Sequence, residues 1–294
     1  MKNILVLGGT RYLGLELIYL FDKENVNLFV ASRQKILGHH NFIYIDRKDQ
    51  NDLDNLFKNI QFDIVIDFIN FSLPDSEKLL RAIMFQIKPP KLILISTTYV
   101  YDNPLQIEKD SVFDENGFLP SKHNLLGQDR PVISYSNGKR DMESYLENNY
   151  YSDKLVILRF PIILGANDYT QRTSFYSSLI KEEKSINPFN IHSKSNYIFS
   201  NEAALAILNF VNEDLSGIFN VSFNPISEYD LISIICDFHS YNINLLINER
   251  IETTYTPFTN MFDFIVDSNK YRNIYPFNNS FEECFNRELL KIYF

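Results

Sequence analysis

The sequence predicts an α/β protein built on a doubly wound parallel sheet, and three observations carry that prediction. Short runs at 3–8, 27–32, 42–46, 63–69, 91–97 and 154–160 are continuously rather than alternately apolar, as strands buried on both faces must be. Segments of helical character at 12–24, 50–60, 74–87 and 134–150 are interleaved with them. Strand–helix–strand repetition of this kind gives right-handed crossovers and layers helices on both faces of one sheet.

Taken in order, "NILVLG" breaks into glycines and restarts as the helix "YLGLELIYLFDKE". "NLFVAS" runs into Arg33, and "FIYID" into Arg47 and the helix "QNDLDNLFKNI". "DIVIDFI" precedes "PDSEKLLRAIMFQI"; "KLILIST" ends in hydroxyls; "SYSNGKRDMESYLENNY" and then "KLVILRF" close the pattern. After Phe160 the sequence becomes polar, aromatic and interrupted, punctuated by Pro188, Pro225, Pro257 and Pro276. A small C-terminal α/β lobe built from such pieces would cover the carboxyl edge of the sheet, where ligands of open α/β folds bind. The expected division is 1–160 with about 198–222 as a nucleotide-binding domain, and about 161–197 with 223–294 as a substrate lobe.

Composition narrows the functional classes. With 294 residues, 45% hydrophobic and 22% charged, the chain is an ordinary globular length and mixture. A net charge of −9 disfavours nucleic acid as a partner, since phosphate neutralisation needs clustered Lys and Arg. The 25 Phe and 18 Tyr read as core filling rather than a stacking platform. Cys236 and Cys284 are too few for a disulfide framework or a zinc motif, and His39-His40 lacks a third ligand, so no metal is expected. "MKNILVLGG" is too short for a secretory segment and no apolar run reaches the ~20 residues of a membrane span, so a cytoplasmic location is expected.

The stretch "ILVLGGTRYLG" (4–14) has the form of a turn that receives a dinucleotide pyrophosphate. Gly8 permits the tight turn, Gly9 adds freedom, and Gly14 lets the helix lie close on the sheet. Thr10, Tyr12 and Leu13 complete the loop. Arg11 stands where a middle glycine is usual and adds a cation to the helix N-terminal amides. At the end of the second strand, Ser32, Arg33 and Lys35 occupy the region where a carboxylate would hold a ribose 2′-hydroxyl. Cations without that carboxylate suit a 2′-phosphate. The expected cofactor is therefore NADP(H), with NAD(H) the alternative, and the first 160 residues read as a Rossmann domain.

"YSNGK" places Tyr135 and Lys139 four apart on one helix face. An ammonium beside a phenol favours phenolate and so lowers its pKa from ~10, which would suit Tyr135 to acid–base work on a hydroxyl or ketone. The same spacing recurs at Tyr19/Lys23, Tyr44/Lys48 and Tyr150/Lys154. Only Tyr135 opens a helix downstream of a strand ending in hydroxyls, "LISTTYVY". The long, charged connection at 102–134 reads as a lid, and His123 within it as solvated.

With these motifs in order, the chain resembles the extended short-chain dehydrogenase/reductase family, the NAD-dependent epimerase/dehydratase group, along almost its whole length. The resemblance is carried by the glycine turn, "IDRKD" (45–49), "ISTTYVYD", "YSNGKRDMESYL", "LRFPIILGAND" (158–168), "YIFSNEAA" (197–204), "GIFNVS" (217–222) and "DSNKYRNIYPFNNSFEE". It implies Thr97 as the catalytic Ser/Thr, Tyr135 as acid/base, and Lys139 as its partner and a ligand of the nicotinamide ribose. It also implies Asp46 and Arg47 as an adenine-side pair and Pro161 as a cofactor contact. Members commonly dimerise through helices matching 75–87 and 135–149, so a homodimer is an expectation of the resemblance alone.

Departures from the family pattern narrow the chemistry. Thr98-Tyr99 replaces the Asp-Glu of the 4,6-dehydratases, and Tyr99 falls where a double epimerase of the GDP-fucose-synthase type carries Cys. The segment 187–197, matching the sugar-nucleotide clamp, lacks the usual glycine. "GGTR" is similar to a branch that includes chloroplast stem-loop RNA-binding proteins. Three functions follow in order: NADP(H)-dependent reduction of a keto group on a nucleotide-linked 4-keto sugar, an NAD-dependent nucleotide-sugar 4-epimerase, and a non-catalytic RNA- or protein-binding module.

Overall fold

The computed structural model describes residues 1–35, 41–101, 111–125, 134–260 and 262–293. In chain order the elements are β1 (Lys2–Leu7), α1 (Leu13–Phe21), β2 (Val26–Ser32), β3 (Phe42–Tyr44), α2 (Gln50–Asn59), β4 (Ile64–Asp67), α3 (Leu73–Ile83), β5 (Lys91–Thr97), β6 (Ser111–Phe113), α4 (Tyr135–Asn149), β7 (Leu155–Phe160) and β8 (Ile162–Leu164). They continue as α5 (Phe175–Lys181), β9 (Lys194–Ser195), β10 (Tyr197–Phe199), α6 (Ser200–Asn212), β11 (Gly217–Asn220), β12 (Ile226–Ser227), α7 (Glu228–Phe238), α8 (Ile243–Leu246), β13 (Phe264–Val266), α9 (Asn269–Arg272) and α10 (Phe281–Tyr293).

Seven strands form one parallel sheet in the order β11-β7-β5-β4-β1-β2-β3. Strand order reverses between β1 and β4, so the loops leaving these two strands diverge and open a crevice at the carboxyl edge. Both strand faces are apolar for a reason visible in β1. Ile4 and Val6 point into the layer with α1 and α6, and Leu5 and Leu7 into the layer with α2, α3 and α4. Each such buried side chain contributes ~1.5–3 kcal/mol.

Two smaller sheets stand beside the large one: β10 with β8, and a four-stranded sheet ordered β12-β9-β13-β6. Tyr176, Leu231, Ile232, Phe258 and Phe285 from this region join the same apolar cluster as Ile4 and Val6. The chain also returns to the large sheet, where β11 pairs with β7, Gly217 opposite Val156.

Two sequence expectations change here. Residues 111–125, within the connection read as a lid, are anchored: β6 pairs with β13 along its length, and the Arg159 guanidinium donates to the carbonyls of Glu115 (3.2 Å) and Phe118 (3.0 Å). The remainder of that connection, like His39-His40, lies outside the described residues. His123 is also not solvated, since its Nε2 sits 3.0 Å from the Asp141 carboxylate. Among the described residues no helix is long and apolar enough to cross a membrane.

Candidate active site

The site is assembled at the crevice from loops whose geometry the sequence dictates. After β1 the chain turns with Gly8 at φ 80° and Gly9 at φ 69°, conformations costly to any residue with a Cβ. A Cβ on Gly14 would lie 2.1 Å from the Gly9 Cα, so α1 can approach the turn only through glycine. No side chain caps the N-terminus of α1, which leaves first-turn amides for an anionic ligand. Gly14→Ala is expected to cost about 1–3 kcal/mol of stability and to weaken dinucleotide binding with it. Thermal unfolding and NADPH titration check this, and an unchanged melting temperature would mean that the turn moves aside freely.

Arg11 is exposed and its Nε donates to Gln34 Oε1 at 3.2 Å, bringing the guanidinium to the end of β2 beside exposed Arg33. Ser32 plays a different part from the one expected. Its hydroxyl donates to the Gln34 carbonyl at 2.7 Å and accepts from the Gln34 N–H at 3.0 Å, so it shapes the turn that presents Arg33 and Gln34. Thr10, Tyr12 and Leu13 form the wall of the turn. Tyr12 has φ 50°, a left-handed conformation that β-carbon residues rarely adopt.

Arg47 departs from the adenine-side assignment. It is 5% exposed, and its guanidinium grips both Asp67 oxygens at 2.6 and 2.7 Å. Its charge is already matched within the protein, so Arg47 braces β4 instead of facing a ligand. Asp46 beside it is only partly buried, and its carboxylate accepts from the Lys48 N–H.

The predicted pair, Tyr135 and Lys139, lies in the first turns of α4. Ser134 caps α4 by accepting from the Asn137 N–H at 3.2 Å, which fixes Tyr135 as the first helical residue. From there Tyr135, Lys139 and Glu143 repeat at four-residue spacing down one face. Three consecutive residues of β5 meet that face. The Thr97 side chain faces Tyr135, the Ile95 carbonyl accepts from Lys139 Nζ at 2.8 Å, and the Ser96 hydroxyl donates to Glu143. The strand edge and the helix are thereby held in one register.

The electrostatics differ from the sequence expectation. The Tyr135 ring is 53% exposed; partial desolvation nonetheless pushes its phenol up, Thr97 pulls it back, and the phenols of Tyr99 and Tyr169 push it up again. Lys139 does not act as the depressing cation, because its Nζ is directed to the carbonyls of Asn70 (2.7 Å) and Ile95, with the Tyr135 ring centroid 5.9 Å away. Burial lowers the Lys139 pKa to about 8, against the opposing pull of Asp67 and Glu143. Lys139 is therefore mainly protonated at neutral pH. The rival pairing at Tyr150/Lys154 is structural: both side chains donate to backbone carbonyls, at Pro90 and Pro89.

Buried Pro161 lines a narrow cleft with Thr98, Tyr99, Ser195, Asn196 and Phe264, on the side of the site facing the small sheets. Sequence reasoning missed Glu143 and Arg159, which form a fully buried pair at 2.6 Å behind the site. Two signals were available: Glu143 continues the Tyr135–Lys139 spacing, and Arg159 is a lone charge in the apolar run "KLVILRF".

A parallel sheet with a glycine turn at its switch point, with Thr97 at the end of β5 and Tyr135 and Lys139 on the neighbouring α4, is the arrangement of the extended short-chain dehydrogenase/reductase class of enzymes. Residues 1–195 match the profile described as RmlD substrate binding domain, and the chain belongs to that family. Comparison with curated protein sequences finds no match. Among solved structures, the chain is similar to dTDP-glucose 4,6-dehydratase from Bacillus anthracis in complex with NAD (TM-score 0.75, 15% identity, 99% of this chain and 96% of that one). It is also similar to UDP-glucose 4-epimerase from Thermotoga maritima with UDP-glucose (0.74, 16%, 98% and 98%). UDP-N-acetylglucosamine 4-epimerase from Bacillus cereus is a third (0.69, 17%, 99% and 95%). At these identities the likeness concerns the fold.

Proposed function

We propose that the protein is an NADP(H)-dependent reductase acting on the keto group of a nucleotide-linked sugar, with a 4-keto sugar as the substrate. The observation that carries this reading is the Arg11–Gln34 contact, which places a second cation at the end of β2, where residues 32–35 offer no carboxylate. The residues present fit the dinucleotide: Gly8, Gly9 and Gly14 form its turn, the uncapped start of α1 receives phosphate, and Arg11 with Arg33 meets a 2′-phosphate. When bound, the nicotinamide supplies hydride to the carbonyl carbon.

The chain's own groups do the rest. Tyr135 gives its proton to the carbonyl oxygen, Thr97 orients that oxygen, and Lys139, held by the carbonyls of Asn70 and Ile95, fixes the start of α4 that presents the phenol. A phenol raised by burial is in its acid form at neutral pH, the form that reduction requires at the outset. The small sheets beside Pro161 and Tyr99 form the substrate lobe in this reading.

The test is the nucleotide content of freshly purified protein, followed by NADPH and NADH titration. A protein that carries no nucleotide and prefers NADPH is expected, with Arg11→Ala and Arg33→Ala each lowering NADPH affinity about tenfold and NADH affinity little. Stoichiometric NAD retained through purification would instead make it a 4-epimerase, the activity named for two of the similar structures. A protein that binds neither nucleotide would return the RNA- or protein-binding reading.

A further inference from the structure

The loop between β8 and α5 holds a tyrosine firmly in solvent. Asp168, buried in that loop, accepts from the N–H groups of Thr170 (2.9 Å), Arg172 (2.9 Å) and Thr173 (3.3 Å), and from the Thr170 hydroxyl. Upstream, the Gly165 N–H donates to the Thr173 hydroxyl oxygen at 2.8 Å and the Ala166 N–H to Glu288 at 2.9 Å. The backbone on both sides of Tyr169 is thereby fixed, yet the Tyr169 side chain is 70% exposed. Charge-assisted bonds of this kind hold a loop in one shape. What this shape presents is one large ring.

The ring stands beside the site. Its centroid lies 6.4 Å from that of Tyr12, edge to face at 86°, and Tyr12 belongs to the glycine turn. The Tyr12 ring in turn lies against the start of the same loop, since a Cβ on Gly165 would come within 3.2 Å of its Cε2. Tyr169 is also near enough to Tyr135 for its phenol to help raise that hydroxyl. Half-exposed Phe71, on the loop leaving β4, lies 6.5 Å from the Tyr135 ring. Exposed rings scattered singly need no explanation, but Tyr135, Phe71 and Tyr169 gather at one place, as in a binding groove. A pyranose has a face of C–H groups that lies flat on an aromatic ring, whereas a diphosphate needs cations.

We propose that Tyr169 is a specificity-determining residue that contacts the sugar of the substrate, its ring covering the C–H face of the pyranose held before Tyr135. The proposal rests on the reading of the substrate as a nucleotide-linked sugar and assigns one side chain to the sugar itself. It also gives the Asp168 hydrogen bonds a purpose. A ring that must meet one face of a ligand has to be held still, and a loop fixed before binding pays less ordering entropy when the ligand arrives.

Tyr169→Ala and Tyr169→Phe are compared with the parent in the presence of NADP+. The probes are UDP-glucose and dTDP-glucose, with free UDP and dTDP titrated in parallel, so that the sugar's share is read separately. Tyr169→Ala is expected to lower affinity for the nucleotide sugar about tenfold, while affinities for the free diphosphate and for NADPH stay within about twofold. Tyr169→Phe keeps the ring and should bind like the parent, and neither variant should melt lower, because the side chain removed is exposed. Equal nucleotide-sugar affinity in Tyr169→Ala and the parent would overturn the proposal and leave the substrate reading standing. A loss shared by NADPH or by the free diphosphates would assign Tyr169 to the support of the glycine turn through Tyr12, and would overturn it equally. An equal loss in Tyr169→Phe would overturn the ring contact. A parent that binds NADPH but no nucleotide sugar would overturn the substrate reading, and this proposal with it.

Discussion

Replacing Tyr135 by Phe is expected to lower turnover of a nucleotide-linked keto sugar by about 10²–10⁴-fold, the usual contribution of a positioned acid–base group. NADPH affinity should change little, because the ring and its neighbours stay in place. Phe keeps the contact with Phe71, and Lys139 remains fixed by the carbonyls of Asn70 and Ile95, not by the phenol. The Thr97 hydroxyl keeps the Tyr99 N–H, which donates to its Oγ1 at 3.2 Å. Steady-state kinetics and fluorescence titration of NADPH with the same preparation check the split. Retained turnover would remove Tyr135 from the chemistry, and loss of both readouts would mean that the phenol supports the site's structure.

The six strand runs and four helices read from the sequence up to Phe160 correspond to β1–β5, β7 and α1–α4. Their legibility has a physical source. A strand covered on both faces must be apolar throughout, so "LILI" and "LVIL" announce themselves locally, without knowledge of any partner. The later elements are written in a weaker code. Strand β6 has three residues, and its pairing with β13 joins segments that no local pattern connects. Helix α10 buries Glu288 within its apolar stripe of Cys284, Phe285 and Leu289, and that carboxylate blurs the helical period. It is there to accept from the Ala166 N–H at 2.9 Å. Helix α7 begins at a capping box formed by Ser227 and Asp230 ahead of an apolar run.

The candidate site shows the same division. Spacing and context put Tyr135 and Lys139 on one helix face, the family resemblance implied Thr97, and Glu143, which continues that face, was missed. The directions of Arg47 and Ser32 were not legible, because each depends on a partner. For Arg47 that partner is Asp67, twenty residues on in the chain. Ser32 is held by its own turn. A charge pattern gives residue types at a location; whether a guanidinium faces ligand or protein is decided by which carboxylate reaches it first.

Truncating Glu143 to Ala is expected to cost about 3–5 kcal/mol of folding stability, the loss typical when one member of a buried ion pair is removed. Both Glu143 and Arg159 are 0% exposed, and the carboxylate takes Arg159 Nη2 at 2.6 Å and Nε at 3.1 and 3.2 Å. Without it, a guanidinium is left in the interior with only neutral acceptors: the Tyr101 hydroxyl and the carbonyls of Glu115 and Phe118. Those acceptors belong to the connection between β5 and α4, and the Ser96 hydroxyl would lose its acceptor on α4 at the same stroke. The damage is therefore expected to reach the site as well as the core, loosening α4 against the strand edge that carries Thr97. Urea unfolding measures the first effect. A loss below about 1 kcal/mol would mean that the three neutral acceptors suffice for Arg159, and that the catalytic helix is held chiefly by Lys139 and its two carbonyls.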